Sequence, residues 1–567
     1  MSARFQIPLL QKGNNYSWRS LTVANSQDYP IPLCVNGYYE SSPHAVSDSR
    51  KVAYCKRPGL GDATTVTEFT NLVPTNSGER VNGLCTSLDK NILLYYSYDA
   101  TKRYTNIYTA STNTLTQTDV TATFAAGNMA LTVLDGINYG ANVYYAATNG
   151  TEGALINSSG VWSKITDADY TGNGVKTNFV GLDGYLFYGV ISGTNAGRIY
   201  NSDLSAAAAA SGWTDTSYIS ANDVPGSIVW LARIRNMVVC FKQYSIEFFE
   251  DVGNPIPGSP LERRSSVTKH IGCASASSVQ EVSDGIIFLA VDKRGKMRYM
   301  KLRESDLELE PISDPYIDFI VSEAVGAAGG FPSFGNDFDL DGDVRGQSQV
   351  IVMYNKEFYT TNISVDDETA NDIGTFVYDN ELKVWYQWAS ASASIDGVKN
   401  FRFYGTQSFS LKNSNGGLEI MFVNNNTGNA KSSFRAFWVN SANANAYKDA
   451  TAATHYTYVF EWMSDYYDFG NVDRKFMHSV EVHYDADWTD ALPAASTSTL
   501  TLTHYEADIN QPVASKSVTI DSSGFRRAKY RQLGSFRRKA FKLSEASGYP
   551  LRLWAVEVVY DSGPDDA

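Results

Sequence analysis

The sequence predicts an all-β fold: a β-propeller of six or seven blades, with an extended N-terminal arm and a C-terminal β-sandwich or barrel-like domain. Three observations carry that prediction. Aromatic residues make up 13% of the 567 positions, with 36 Tyr and 27 Phe, and such side chains suit pleated, half-buried surfaces. The 43 Gly and 17 Pro supply turns, while helical periodicity is missing over any long window. A polar turn followed by an apolar strand recurs at Asp89, Asp135, Asp183, Asn236 and Asp284, at spacings of 46, 48, 53 and 48 residues.

Taken in order, residues 1–60 carry prolines and turn dipeptides (Gly13-Asn-Asn, Asp28-Tyr-Pro-Ile-Pro32, Asn36-Gly37) and read as the arm. Residues 61–435 read as the propeller. A period of ~40–50 residues made of strand and turn is that of four-stranded blades. One blade cannot bury both of its faces, so blades stack around an axis. Further blade strands are expected at Gln349–Tyr354, Phe376–Trp385 and Leu418–Val423, the middle one with a hairpin turn at Asp379-Asn380. Ala206 to Ala210 reads as a one- or two-turn surface helix, and Ala324 to Gly330 as a flexible link. Residues 436–567 change character. Tyr456–Trp462, Ser479–Tyr484, Thr499–His504 and Lys516–Ile520 alternate with period two, as strands wet on one face do.

The most informative stretch lies in the propeller. It runs Arg235-Asn-Met-Val-Val-Cys-Phe-Lys-Gln-Tyr-Ser-Ile-Glu-Phe-Phe-Glu250, then a Gly/Pro loop, then Ile271-Gly-Cys-Ala274 and Asp284-Gly-Ile-Ile-Phe-Leu289. Physically it is a hairpin, a loop whose prolines cannot join a ladder, and another buried strand. The same order resembles the tail-tube proteins of short-tailed bacteriophages, variously called packaged-DNA stabilisation, tail-hub or nozzle proteins. Arg57-Pro-Gly near the start, and Leu533-Gly534 followed by Arg537 to Leu543 near the end, are similar to that family too.

Bulk chemistry bounds the function. A formal net charge of −14 argues against a protein whose main work is gripping nucleic acid. It suits a conduit wall that repels phosphate. The five cysteines, Cys34, Cys55, Cys85, Cys240 and Cys273, show neither zinc spacing nor a disulfide framework, and read as small buried hydrophobes suited to a reducing cytosol. The first ten residues do not read as a secretory signal, and no apolar run approaches the ~18 residues of a membrane span.

Few residues suggest chemistry. Asp337, Asp339, Asp341 and Asp343 reproduce the start of a calcium loop, with Gly342 to turn the chain. Ser348, however, stands at the twelfth position where a bidentate Glu belongs. The preferred reading is an acidic solvated loop, with calcium as the alternative and no other cofactor expected. Arg526, Arg527, Lys529, Arg531, Arg537, Arg538, Lys539 and Lys542 form a basic cluster in an acidic chain. They read as partners of acidic groups within or between subunits, with a DNA-facing patch interleaved by Phe525, Tyr530 and Phe536 as the alternative. The six histidines lack metal spacing, and no nucleophile elbow or phosphate loop is present. No enzyme is expected.

The resemblance implies a structural virion protein of the tail, assembled in the host cytoplasm. It would form a ring, as a hexamer, below the portal and adaptor, and contact tail fibres or tailspikes. It would retain packaged DNA and conduct it during ejection, touching the genome only in transit. The alternative is a propeller that binds or cleaves host-surface carbohydrate, marked by Trp and acid residues converging in one blade-top pocket. A cellular scaffold propeller is disfavoured, because the blades lack Gly-His or Trp-Asp signatures.

Overall fold

The computed structural model describes residues 3–9, 34–41, 52–76, 78–99, 101–125, 129–255, 257–314, 317–318, 321, 348–354, 356–364, 372–388, 407–424, 433–437, 447, 449–450, 455–464, 467, 469, 474–487, 497–506, 513–521 and 523–562. The chain divides into two compact units. One comprises residues 63–373 and 404–436, the other residues 1–62, 374–403 and 437–567.

The first unit is the propeller, and its elements are almost entirely antiparallel strands. Five sheets of four or five strands follow one another, beginning with Arg80–Thr86, Ala130–Val133, Val175–Lys176, Ile228–Ile234 and Gly272–Cys273. A sixth blade has the strands Gln407–Lys412, Leu418–Asn424 and Ser433–Phe437. Between the fifth and sixth stands the hairpin Ser348–Met353 with Lys356–Ser364. That hairpin adds an inner strand to those of the six blades, which is why the period alone left six or seven open.

The recurring turn marks the same place in successive blades: the step from the inner strand to the second. Leu182 pairs with Tyr185, Ile234 with Met237, and Val282 with Gly285. At Asp183-Gly184 both residues have positive φ, 49° and 88°, the type I′ geometry that matches the twist of the flanking strands.

Stacking is visible in the cores, because each cluster joins two neighbouring blades. Tyr96 and Cys85 of the first blade meet Ala147 and Ile156 of the second. Leu155 and Ile165 meet Tyr188 and Trp213 of the third. Phe241 and Phe248 of the fourth meet Phe288 and Leu302 of the fifth. The propeller closes where Tyr95 and Leu93 pack on Phe434 and Met421, with the Tyr95 and Phe434 ring centroids 5.5 Å apart. Burying each such side chain contributes about 1.5–3 kcal/mol, so an isolated blade would forfeit most of its stabilisation.

Ala206 to Ala210 is not a helix. Its backbone is used by the second blade and its own turn: Ala207 N–H donates to Tyr139 O at 2.9 Å, Ala208 N–H to Ser211 O at 3.1 Å, and Ala209 O accepts from Thr166 N–H. Tertiary hydrogen bonding overrides the alanine propensity.

Among the described residues the second unit holds two large sheets and a small pairing of Asp449–Ala450 with His455–Tyr456. One orders Asp372–Asp379, Val384–Trp388, Cys34–Val35, Phe460–Met463, Ala540–Glu545, Thr497–Tyr505 and Ala514–Asp521. The other orders Gly37–Ser41, Val52–Lys56, Arg552–Ser562, Lys475–Asp487 and Ser523–Arg531, with Ala3–Ile7 added along Arg552–Ser562. Tyr54 stacks on Phe460 at 4.8 Å, and Tyr530 Oη donates to Leu500 O at 2.8 Å; both contacts join the two sheets. The N-terminal residues therefore contribute strands to this unit. So does the hairpin around Asp379-Asn380, which the sequence placed among the blades: Val35 pairs with Gln387, and the Trp388 indole donates to Gly37 O at 3.1 Å.

Candidate functional site: the axial cavity of the propeller

An inner strand has no sheet partner on its axial side, so its N–H and C=O groups must find others. Bonds reaching across from the neighbouring blade supply them. Met129 N–H donates to Asn82 O at 2.7 Å, and Thr132 Oγ1 to Phe179 O at 2.9 Å. Asn178 both donates to Leu231 O at 2.9 Å and accepts from Leu231 N–H at 3.1 Å. Tyr359 Oη reaches Ser278 O at 2.9 Å, Ser408 Oγ reaches Val350 O at 3.0 Å, and Lys412 N–H reaches Lys90 O at 2.9 Å. These bonds run from blade to blade around the axis.

They enclose a cavity of ≈ 650 Å³, lined by residues of all six blades and of the hairpin. Its charged groups gather where the inner strands end: Asp135 after the second, Arg233 in the fourth, Glu281 in the fifth. Arg233 bridges three blades. Its guanidinium binds the Asp135 carboxylate and donates to Gly181 O at 3.3 Å, and its backbone N–H donates to Glu281 Oε1 at 3.4 Å. Burial works against the Asp135 carboxylate, but Tyr139 Oη at 2.7 Å and Arg233 outweigh it and hold the group below the usual carboxylate range. Glu281 is open to the cavity yet walled by protein on nearly all sides. That burial raises its proton affinity, with only the Arg233 contact opposing. Two carboxylates lining one cavity are thus pushed in opposite directions.

None of these three was singled out from the sequence. Asp135 was read as a turn residue, and Arg233 and Glu281 sit in ordinary strand text. The only signal was the repeat itself, which aligns the ends of inner strands.

The motif glutamate Glu247 has a structural role. It is fully buried, with Lys242 Nζ at 2.8 Å and Arg263 Nε at 3.4 Å. Lys242 also donates to Ala221 O at 2.7 Å and to Val224 O. The ion pair therefore ties the strand pair to the loop entering the fourth blade.

The basic cluster lies in the second unit and is largely paired. Arg527 and Lys529 reach buried Glu481 at 2.9 and 2.5 Å, Arg526 lies 3.7 Å from Asp521, and Lys542 lies 3.0 Å from Glu461. Lys539 is buried, 3.5 Å from Glu506, and donates to Leu533 O. Arg531, Arg537 and Arg538 are exposed. Asp337, Asp339, Asp341 and Asp343 lie outside the described residues. Among the described residues Glu481, His483 and Glu557 come together as a metal site would require. Burial opposes the charge on Glu481, but Lys529 and Arg527 hold the carboxylate below its usual range, so these cations already occupy it. All five cysteines are buried and free, and burial pushes the Cys34 and Cys273 thiols up to about 12.

No curated protein matches the chain. Among solved structures it is similar to exo-beta-1,3-galactanase from Phanerochaete chrysosporium, at 8% identity, over 86% of this chain and 96% of that one, with a TM-score of 0.24. A protein from Lactobacillus plantarum gives 10% identity over 61% and 93%, with a TM-score of 0.33. Hsv2 from Kluyvelomyces marxianus gives 9% over 63% and 97%, with a TM-score of 0.26. At such scores none of the three bears on function. Within the propeller, residues 101–325 are similar to the phage-stabilisation family model described as bacteriophage P22 Gp10, beta-propeller, which supports a bacteriophage structural role.

Proposed function

We propose that the chain is a tail-tube, or nozzle, subunit of a short-tailed phage. In this reading it forms a ring, most simply a hexamer, beneath the portal and adaptor. The ring retains packaged DNA, conducts it on ejection, and catalyses no reaction. The observation that carries the proposal is the family match over residues 101–325.

The cavity dimensions bear on where DNA would pass. A volume of ≈ 650 Å³ spread along inner strands about 20 Å long, at ~3.3 Å per residue, leaves a bore far narrower than even the ~12 Å major groove of a duplex. In this reading DNA does not thread a propeller, and the conduit is the space enclosed by several subunits. Exposed Arg531, Arg537 and Arg538 would meet acidic surface on a neighbouring copy, as Arg527 and Lys529 meet Glu481 within one.

The test is sedimentation and electron microscopy of the protein mixed with its portal–adaptor complex. A ring that joins the complex is expected, and reversal of Arg537 and Arg538 to Glu should block joining without changing weak DNA binding by the free chain. A chain that stays monomeric and unbound at every concentration would refute the proposal. Normal assembly of the reversed variant with lost DNA retention would move these arginines to the lumen.

A further inference from the structure

We propose that one end of the propeller, an acidic face studded with exposed apolar side chains, docks a second copy of this chain through that copy's basic patch around Arg474, Phe476, Arg537 and Arg538. The inference rests on the ring reading and names the two surfaces that would meet in it.

Blade geometry defines the face. Strands in a blade alternate in direction, so the connections from inner to second strand and from third to outer strand share one end. Backbone bonds tie the two kinds together. Ser205 N–H donates to Gly184 O at 3.0 Å, Asp251 N–H to Asn236 O at 3.2 Å, and Glu304 N–H to Asp284 O at 2.9 Å. Exposed large apolar side chains gather in or beside these connections. Leu88, Ile137, Val161, Leu204, Val252 and Leu418 come from five blades, with Leu88 64% and Leu204 51% exposed. At the opposite end Tyr244 is the one such side chain among the described residues. Exposed apolar side chains scattered singly are ordinary, but their concentration at one end of the blades marks an interaction surface.

Charge selects the occupant. The same connections carry Asp89, Asp183, Asp203, Asp284, Asp306 and Glu308, against Lys90 and Arg235. Burial raises the proton affinity of Asp251, and the like charge of Asp183 on the preceding blade adds to it, the mark of a negative field at that blade boundary. The opposite end lacks this excess: its turn 292–296 sets Lys293, Arg294 and Lys296 against Asp292. The second unit holds the complement. Phe476 is 51% exposed and pairs with Ser535, two positions before Arg537. Arg531 pairs with Ser479 on the same strand as Phe476. Arg474, Arg531, Arg537 and Arg538 are exposed and form no ion pair among the described residues. An aromatic side chain with arginines beside it fits an apolar, acidic face, and both residue types are enriched at interfaces. Because the two surfaces differ, the contact is head-to-tail and propagates from copy to copy, as a ring requires.

The experiment is sedimentation velocity of the full chain, alone and with the portal–adaptor complex. The face variant is Leu88→Lys/Leu204→Lys/Leu418→Lys, with the matching Ser replacements as a second form. The patch variant is Phe476→Ser/Arg537→Glu/Arg538→Glu, and all are checked for native circular dichroism. Each variant alone should lose self-association by tenfold or more. Mixed in equal amounts, they should give a dimer that grows no further, because one intact face meets one intact patch. If either folded variant assembles like wild type, or if the mixture gives no dimer, this inference is wrong while the ring reading stands. A face variant that multimerises normally but no longer joins the complex would make the occupant the adaptor rather than a second copy. Wild type that stays monomeric throughout sinks the ring reading and this inference with it.

Discussion

Replacing Lys242 by Met tests why the most recognisable motif of the chain contains a glutamate. Lys242 and Glu247 are 1% and 0% exposed at the side chain, 2.8 Å apart. Removing one member of a buried pair leaves an uncompensated charge and costs about 3–5 kcal/mol. Here the residual partners of Glu247 would be the Val224 N–H at 3.3 Å and Arg263 at 3.4 Å, both too long for good hydrogen bonds, so the loss should fall within that range. Glu247→Leu should cost about as much, because the ammonium keeps only the carbonyls of Ala221 and Val224. The double variant Lys242→Met/Glu247→Leu buries no charge. It forfeits the two carbonyl contacts at roughly 1 kcal/mol each, so it should cost only about 2 kcal/mol, and against singles of about 3 kcal/mol or more each it should show a coupling energy of at least about 4 kcal/mol. Urea unfolding gives the three free energies, with hydrogen exchange over residues 221–250 assigning the change to the propeller. A double variant as unstable as the sum of the singles would refute the reasoning, since the pair would then act as two independent hydrogen-bond donors and acceptors.

His504 is 3% exposed. Burial, reinforced by Lys539 and Lys516, pushes its pKa down to about 4. Its unfolded value is near 6.5, so stability is full above pH 6.5 and falls as pH drops towards 4, by at most about 3 kcal/mol; a His504→Gln variant should flatten that part of the pH–stability profile. Glu545 works at lower pH. Burial raises its proton affinity, but Lys56 at 2.7 Å, with Ser498 and Ser547, prevails and lowers its pKa. The resulting stability is present above the unfolded carboxylate value and is lost as pH falls through the folded one, so Glu545→Gln should shrink the acid-unfolding step in a pH titration of the circular dichroism. Chelation of calcium is expected to leave the melting temperature unchanged. A clear downward shift abolished by Asp339→Ala would show that the acidic loop holds the ion.

What the sequence determined by itself is local. The Asp-Gly and Asn turns at near-constant spacing specify the step from inner to second strand, because a type I′ turn needs residues that tolerate positive φ, and that requirement repeats with the blades. Apolar runs such as Gly285–Val291, buried along their whole length, announced strands covered on both faces, and the alternation in Thr497–Tyr505 announced one wet face. Only tertiary structure decided the rest. The hairpin at Asp379-Asn380 carries the same strand and turn text as a blade, yet its partners are Val35 and Gly37, more than 340 positions earlier. Ala206 to Ala210 lost its helix to hydrogen bonds with Tyr139 and Thr166. Asp135, Arg233 and Glu281 belong to three different blades, nearly 150 residues apart in the chain. Strand periodicity records which face a side chain takes, but not which strand ends meet, because stacking around an axis brings them together and each blade contributes only one of the three charges.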